Sequence, residues 1–322
     1  MQEPLIRMES LSVNFRSGSM EIPAVRDVSL SVNRNETLGI VGESGSGKSA
    51  TALALLRLHN ERHTSYRGRI LADGKDVFTF DERALRSFRG RIAGIIFQEP
   101  MNALNPVMRV GEQIIEPLLT HERMDRTKAL ALAAERLVRV GITDAASRLT
   151  SFPHELSGGM RQRVMIAMAT MLAPPLLIAD EPTTALDVTV QRQVIELLKE
   201  LRRTESMSII IISHDLGVVT DIADRIAVMY LGEIVEYGGT RSIMDEPKHP
   251  YTAALVTLAR TLARKGNEPL SSIPGSVPSP RERPEGCAFH PRCSRCFDRC
   301  RTEHPLLLER DGMSVRCHLY DR

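Results

Sequence analysis

The chain has 322 residues, room for one large domain and a smaller one when a domain runs to roughly 150 residues. With 42 basic residues against 40 acidic, a net charge of +2 and 42% hydrophobic residues, the composition excludes a polybasic nucleic-acid binder and a disordered polyanion. No apolar stretch reaches the roughly 18 residues that a membrane-spanning helix needs. The longest candidate, Val164 to Ala179, is broken by Pro174 and Pro175, so the chain is not expected to cross a membrane by itself. The N-terminal MQEPLIRMES carries acidic residues and no apolar core, so no secretory signal is expected and the chemistry is placed in the cytosol.

In chain order, apolar and polar residues alternate through Leu11, Val13 and Phe15 and again through Val28, Leu30 and Val32, the period of antiparallel strands. Thr37 to Val41 (TLGIV) reads as a short buried strand that feeds a Gly-rich turn and then a helix from Ala50 to Leu58. Further strand-length apolar runs stand at Ile92 to Phe97, Leu176 to Ala179 and Ser208 to Ile212, and helical stretches separate them, which predicts a mainly parallel sheet. Between the first two, Val110 to Ile142 has helical spacing (Ile114, Ile115, Leu118, Leu119, then Leu130, Leu132, Leu137, Val138), so a helical insertion is expected. RIAVMYLGEIVEYG after Asp224 predicts a hairpin turning at Gly232 and Glu233, which would close the main domain near residue 240. Pro269 to Gly286 is rich in Pro, Ser and Gly and reads as a linker or an extended wrap before the cysteines.

Gly42-Glu-Ser-Gly-Ser-Gly-Lys48-Ser49 fits the phosphate-loop pattern and lies where its physics requires, after a strand and before a helix. Backbone amides of Gly42, Ser44, Gly45, Ser46, Gly47 and Ala50 can turn inward around phosphate oxygens, and the helix N-terminus adds its positive end. Lys48 would reach the β and γ phosphates of ATP, and Ser49 would ligate Mg2+. The bland reading is a Gly-rich turn. Leu176 to Glu181 (LLIADE) is an apolar strand ending in adjacent carboxylates: Asp180 would hold the magnesium, and Glu181 would polarise the attacking water. Its bland reading is a buried strand with an acidic edge.

Leu156-Ser157-Gly158-Gly159-Met160 closely resembles the signature sequence of ATP-binding-cassette proteins. Gln is commoner than Met160 at the last position of that signature, although LSGGMRQR occurs in peptide importers. Ser157, Gly158 and Gly159 would cap a helix beginning near Met160 and contact the γ-phosphate. The resemblance implies an α/β P-loop NTPase cassette: a mainly parallel sheet core, an antiparallel β subdomain and a helical subdomain. It also implies two cassettes that meet head to tail with ATP between them. By the same resemblance Phe15 stacks on adenine, Gln98 in IIFQEP senses magnesium and the membrane subunits, His214 in IISHD contacts the γ-phosphate, and Asp187 in TALD links the two sites. Each has a plainer alternative: Phe15 in the core, Gln98 as a polar loop residue, His214 at a solvent-facing strand end.

The stretch Pro153 to Asp187 and the tail segment Pro247 to Ala253 (PKHPYTA) resemble oligopeptide and dipeptide importer ATPases, and the likeness spans nearly the whole chain. Pro247 to Tyr251 also reads simply as a helix-entry turn. The resemblance implies an ATPase domain at residues 1–245 (helical subdomain about 105–165) and a small C-terminal extension at 246–322 with the cysteines. It implies ATP hydrolysis that energises peptide import from the cytoplasmic face of the inner membrane. The partners implied are a second, different ATPase subunit, two transmembrane permeases and an extracytoplasmic binding protein, with no nucleic acid. The alternatives are import of nickel or oligosaccharides, a soluble cassette acting on ribosomes or DNA, and a metal-binding subunit without turnover.

All five cysteines lie between Cys287 and Cys317. Such clustering in a cytosolic protein points to a metal or redox site more than to disulfides. Spacing alone does not choose between an iron-sulfur cluster and tetrahedral zinc, since both use four thiolates. The family resemblance implies a four-iron four-sulfur cluster on Cys287, Cys293, Cys300 and Cys317, with zinc as the alternative. Cys296 is an extra member, a competing ligand or a spare thiol.

Overall fold

The structure, a computed structural model, describes residues 3–18, 20–99, 103–184, 186–263 and 273–321. The first four residues of the expected linker (269–272), Pro100 of IIFQEP, Ala185 of TALD and the first two residues of the N-terminal stretch lie outside them. The chain divides into two compact units, residues 1–78 with 211–322, and residues 79–210.

The first unit begins with β1 (Ile6–Ser17) and β2 (Met20–Val32), antiparallel as their alternation predicts. Ile6, Met8, Leu11 and Val13 of β1 are buried. The change of phase between Met8 and Leu11 coincides with a register shift and with Ser10 at φ 48°, a bulge that sequence alternation alone does not locate. Next comes β3 (Thr37–Val41), fully buried and with the bounds its apolar run predicts. The helix after it runs Lys48–Leu55, beginning two residues before the expected Ala50 and ending three before Leu58. It starts early because the last loop glycine already takes the cap position, and it stops where Arg57 turns to φ 49°. Strand β4 (Thr64–Ala72) pairs antiparallel with the other side of β1, and the short β5 (Lys75–Asp76) pairs with β4.

The second unit carries β6 (Ala93–Ile96) and β7 (Leu176–Asp180), parallel with Ala93 opposite Leu176 and Ile96 opposite Ala179. The helical insertion is two helices, Val110–Glu122 and Arg126–Arg139, the latter capped by Asp125 accepting from the amides of Thr127 and Lys128. Its buried stripe is Ala129, Ala133, Arg136 and Leu137, whereas Leu119 and Val138, expected inside, face solvent. Arg136 is buried because Glu205, equally buried, accepts from it at 2.5 Å. Residues of β8 (Ser208–Ser213) belong to both units.

Back in the first unit, β9 (Arg225–Tyr230) runs parallel to β3, and β10 (Glu233–Gly239) folds back on it. The turn is Leu231–Gly232, one residue earlier than expected: Glu233 already pairs with Tyr230, and both turn residues have positive φ, 45° and 83°. The tail does not stand apart from this sheet. Its hairpin β11 (Leu307–Arg310) and β12 (Met313–Arg316) joins through β12 to β10, antiparallel. The pairs β9–β10, β10–β12 and β11–β12 are antiparallel, the first as its predicted hairpin requires, while β3–β9 and β6–β7 are parallel as the spacing of the apolar runs predicts.

PKHPY is built on one buried carboxylate. Glu236 of β10 accepts from the amides of Lys248 (2.7 Å) and His249 (2.8 Å), and the His249 ring accepts from the amide of Tyr251 (3.0 Å). The helix Pro250–Ala263 follows with Pro at its first position, so the helix-entry reading of this turn holds. Burial holds His249 neutral and lowers its pKa to about 3. In the unfolded chain the same imidazole takes a proton near pH 6.5. Its contribution to stability is thus complete above about pH 6.5 and is lost as pH falls toward 3, with a slope approaching about 1.4 kcal/mol per pH unit. Urea midpoints at pH 7 and pH 5 should show a smaller drop for His249→Asn than for the wild type; an equal drop would place the acid sensitivity elsewhere.

Candidate functional site

In the first unit the residues 42–49 form a loop that closes on itself. Lys48, 5% exposed, donates to the carbonyls of Gly42 (2.7 Å) and Glu43 (3.1 Å), and the Ser46 amide donates to Glu43 O (3.2 Å). Two glycines are required by geometry. Gly47 caps the helix at φ 102°, and a Cβ there would stand 2.5 Å from the Ala24 carbonyl; one on Gly42 would stand 2.3 Å from that of Met229. Gly45 opens on empty space, and the Ser46 hydroxyl is buried with no hydrogen-bond partner among the described residues. A buried lysine, a helix N-terminus and an unpaired hydroxyl fit a phosphate group. Ser49 and Ala50 occupy the first turn of that helix, with the Ser49 side chain partly exposed.

Phe15 on β1 is half-buried, outside the core, with its ring edge-on to His59 at 5.0 Å between centroids. His214 follows β8 and is exposed; the next residue, Asp215, caps the short helix Leu216–Thr220 by accepting from Gly217 and Val218.

In the second unit β7 delivers Asp180, 6% exposed, and then Glu181, whose φ of 47° is a conformation that glutamate rarely adopts. The Glu181 carboxylate accepts from the Gln98 amide (3.1 Å) and the Thr184 hydroxyl (2.8 Å). Gln98 and Glu181, separate motifs in the sequence, thus meet. Thr184 was missed, although its place three residues after Glu181 across a tight turn was available as a signal. Ser157 caps the helix Gly158–Ala169, its hydroxyl accepting from Met160 N at 3.3 Å. The helix begins at Gly158, two residues before the expected Met160, because the cap bonds to the third residue beyond it. Gly158 has open space on its side-chain face, while Gly159 packs against Val190. Asp187 caps the helix Val188–Glu205, accepting from Val190 N at 2.9 Å.

The five cysteines are free thiols, with Cys300 and Cys317 buried. Burial, reinforced by neighbouring thiols, pushes Cys287 up to about 12; burial pushes Cys317 to about 11 and raises Cys293. Cys293, Cys300 and Cys317 all act on Cys287, so the four expected ligands share one neighbourhood. They do not share a ligand geometry: among the described residues no group of three or more His, Cys, Asp or Glu side chains is placed to hold a metal ion. The iron-sulfur and zinc expectations therefore find no support in the donor set as it stands. Cys296 adjoins Cys293 and helps raise its pKa, and its thiol lies 3.7 Å from the Phe297 carbonyl.

Residues 25–184 match the ABC transporter family, and residues 235–300 match the oligopeptide/dipeptide transporter C-terminal region. A putative peptide import ATP-binding protein of Brucella abortus is 49% identical over 98% of this chain and 94% of its own length. The chain belongs to the ABC transporter family. The dipeptide transport ATP-binding protein DppD of Escherichia coli is 46% identical over 98% of this chain and 96% of its own. Among solved structures, the ATP-binding cassette MJ0796 in a dimeric post-hydrolysis state with ADP and Pi has a TM-score of 0.66 at 27% identity, covering 73% of this chain and 99% of that one. CbiO1 of Clostridium perfringens has the same TM-score at 25% identity, covering 82% and 96%. The fold is the ABC cassette, and the activity of this ABC transporter ATPase is ATP hydrolysis coupled to transport, with ATP and Mg2+ as cofactors. Among the described residues no helix is long and apolar enough to cross a membrane.

Gly47→Ala should abolish binding of a fluorescent ATP analogue, because it sets a methyl group against the Ala24 carbonyl and strains a left-handed residue. Wild-type affinity in this variant would show that the loop tolerates a different shape.

Proposed function

We propose that this ATPase energises the import of dipeptides and short oligopeptides. The observation that carries the hydrolytic part is the Glu181 carboxylate, held at a positive-φ turn by Gln98 and Thr184 at the end of a buried strand. The cargo is supported by the tail match to the oligopeptide/dipeptide transporter region and by the peptide and dipeptide transport names of the two relatives.

ATP supplies the phosphoanhydride bond, and magnesium, when bound, neutralises its charge. Lys48, the Ser46 hydroxyl and the amides of Gly42, Ser44, Gly45, Gly47 and Ala50 hold the phosphates. Ser49, Asp180 and Gln98 are the residues that would hold the magnesium. Glu181 orients the attacking water and takes its proton, with Gln98 and Thr184 fixing the carboxylate. Phe15 offers a face to adenine, His214 reaches the γ-phosphate, and Ser157, Gly158 and Gly159 present a capped helix N-terminus to the ATP of a partner cassette. Asp187 links the two sites. The spacing of the tail thiols Cys287, Cys293, Cys300 and Cys317 suits an iron-sulfur cluster or zinc, but their positions among the described residues do not make a metal-holding group, and no step of hydrolysis passes through them.

The proposed assembly has a second, related ATPase, two permease subunits and an extracytoplasmic binding protein, with this chain peripheral on the cytoplasmic face of the inner membrane. Within the chain, residues 1–245 are the ATPase domain, with its helical part about 105–165, and 246–322 the extension.

Glu181→Gln should lower ATP turnover by roughly 10²- to 10⁴-fold and leave ATP binding intact, the loss expected for a general base; near-normal turnover would remove Glu181 from that role. Cells carrying Glu181→Gln should also fail to take up a labelled dipeptide and a labelled longer peptide while nickel uptake persists. Loss of nickel uptake alone would reassign the cargo.

A further inference from the structure

Nothing in the phosphate-loop pattern assigns a task to its second residue, and nothing in PKHPY or in the Arg before Cys293 points to nucleotide chemistry. In the first unit the three meet. The Glu43 amide donates to the Tyr251 hydroxyl at 2.9 Å, so that amide is committed to the tail and not to a phosphate. The Glu43 carboxylate takes a two-pronged contact from Arg292, at 2.7 and 3.0 Å. The Glu43 carbonyl accepts from Ser46 N and Lys48 Nζ. All three polar groups of one loop residue are therefore held, two of them by side chains 208 and 249 residues further along the chain.

The tail groups are themselves fixed. Tyr251 is fully buried and set in place by the Glu236–His249 turn, and the Arg292 side chain is 4% exposed, with its Nε donating to Pro274 O at 2.9 Å. A bidentate guanidinium–carboxylate pair with a buried guanidinium and a carboxylate 29% exposed holds direction as well as distance, unlike a fully exposed ion pair. On its other side the loop is held by the β9–β10 turn, where Gly232 N donates to Ser46 O at 2.9 Å and the tail's Arg283 donates to Leu231 O at 3.1 Å.

We propose that Tyr251 and Arg292 are positioning residues for ATP binding: through Glu43 they hold residues 42–49 in the shape that presents their amides to the phosphates. The C-terminal extension is on this account a working part of the nucleotide site. This rests on the reading of residues 42–49 as the phosphate-binding loop.

The test uses the full chain, with a fluorescent ATP analogue plus magnesium for affinity and intrinsic ATPase for KM and kcat. Tyr251→Phe removes one oxygen and Glu43→Gln one charge, so both should fold even if Arg292→Gln does not. Each should weaken nucleotide binding by about 3- to 10-fold, the loss expected for one hydrogen bond in a positioned network. KM should rise in step while kcat stays within about twofold, a split that general destabilisation does not produce. Arg292→Lys should restore part of what Arg292→Gln loses, and the double variant Glu43→Gln with Arg292→Gln should bind no more weakly than the worse single variant. Wild-type affinity and KM in Tyr251→Phe and Glu43→Gln would overturn the proposal. Lys48→Ala separates the two readings: if it abolishes binding while those variants bind normally, only the positioning role fails; if it binds normally, the loop is not the nucleotide site.

Discussion

A loop that wraps an anion has to point several backbone amides toward a common centre, a shape with few internal hydrogen bonds of its own. Such a shape persists only when the surroundings impose it. Here a Cβ at Gly47 or Gly42 would collide with the carbonyls of Ala24 or Met229, so the neighbouring backbone already lies against the loop. The loop's remaining freedom is removed at Glu43, whose amide, carbonyl and carboxylate are each held, and at Ser46, whose carbonyl is taken by Gly232. What the rest of the first unit supplies is a rigid frame for a few amides.

That requirement gives the tail a physical reason for its construction. Glu236, completely buried, would cost stability if its oxygens were unpaired; the amides of Lys248 and His249 pair them and so fix the turn that delivers Tyr251. Glu233 follows a similar logic: burial alone would raise its pKa, but hydrogen bonding from His304 and the Arg283 charge outweigh burial and hold it at about 2. Buried carboxylates on β10 thus act as anchors to which the tail is tied by charge and hydrogen bonding, in addition to strand pairing through β12.

The second unit solves a different problem. A carboxylate at a strand end keeps one direction only where its surroundings impose it, and the positive φ at Glu181 is a strained way of turning it out of the strand. Gln98 and Thr184 hold it there. The cysteine neighbourhood stands in contrast. Burial disfavours thiolate and raises the pKa of Cys287, Cys293 and Cys317, so these three carry protons at neutral pH.

The amino-acid sequence by itself determined what depends on contiguous residues. The bounds of β3, the helical character of the insertion, the Ser157 cap and the Gly-rich turn before Lys48 were legible because periodicity, capping and Gly-rich turns act within a few residues. Where local signals competed, the reading slipped by a residue or two, as at Leu231–Gly232, where a leucine accepts the positive φ usually left to glycine or asparagine. Only the tertiary structure decided that Gln98 and Thr184 share Glu181, that β12 pairs with β10, and that Tyr251 and Arg292 close on Glu43. Those contacts join residues up to 249 positions apart, and a side chain's partner at that separation is set by how sheets and turns stack, which no local pattern of residues encodes.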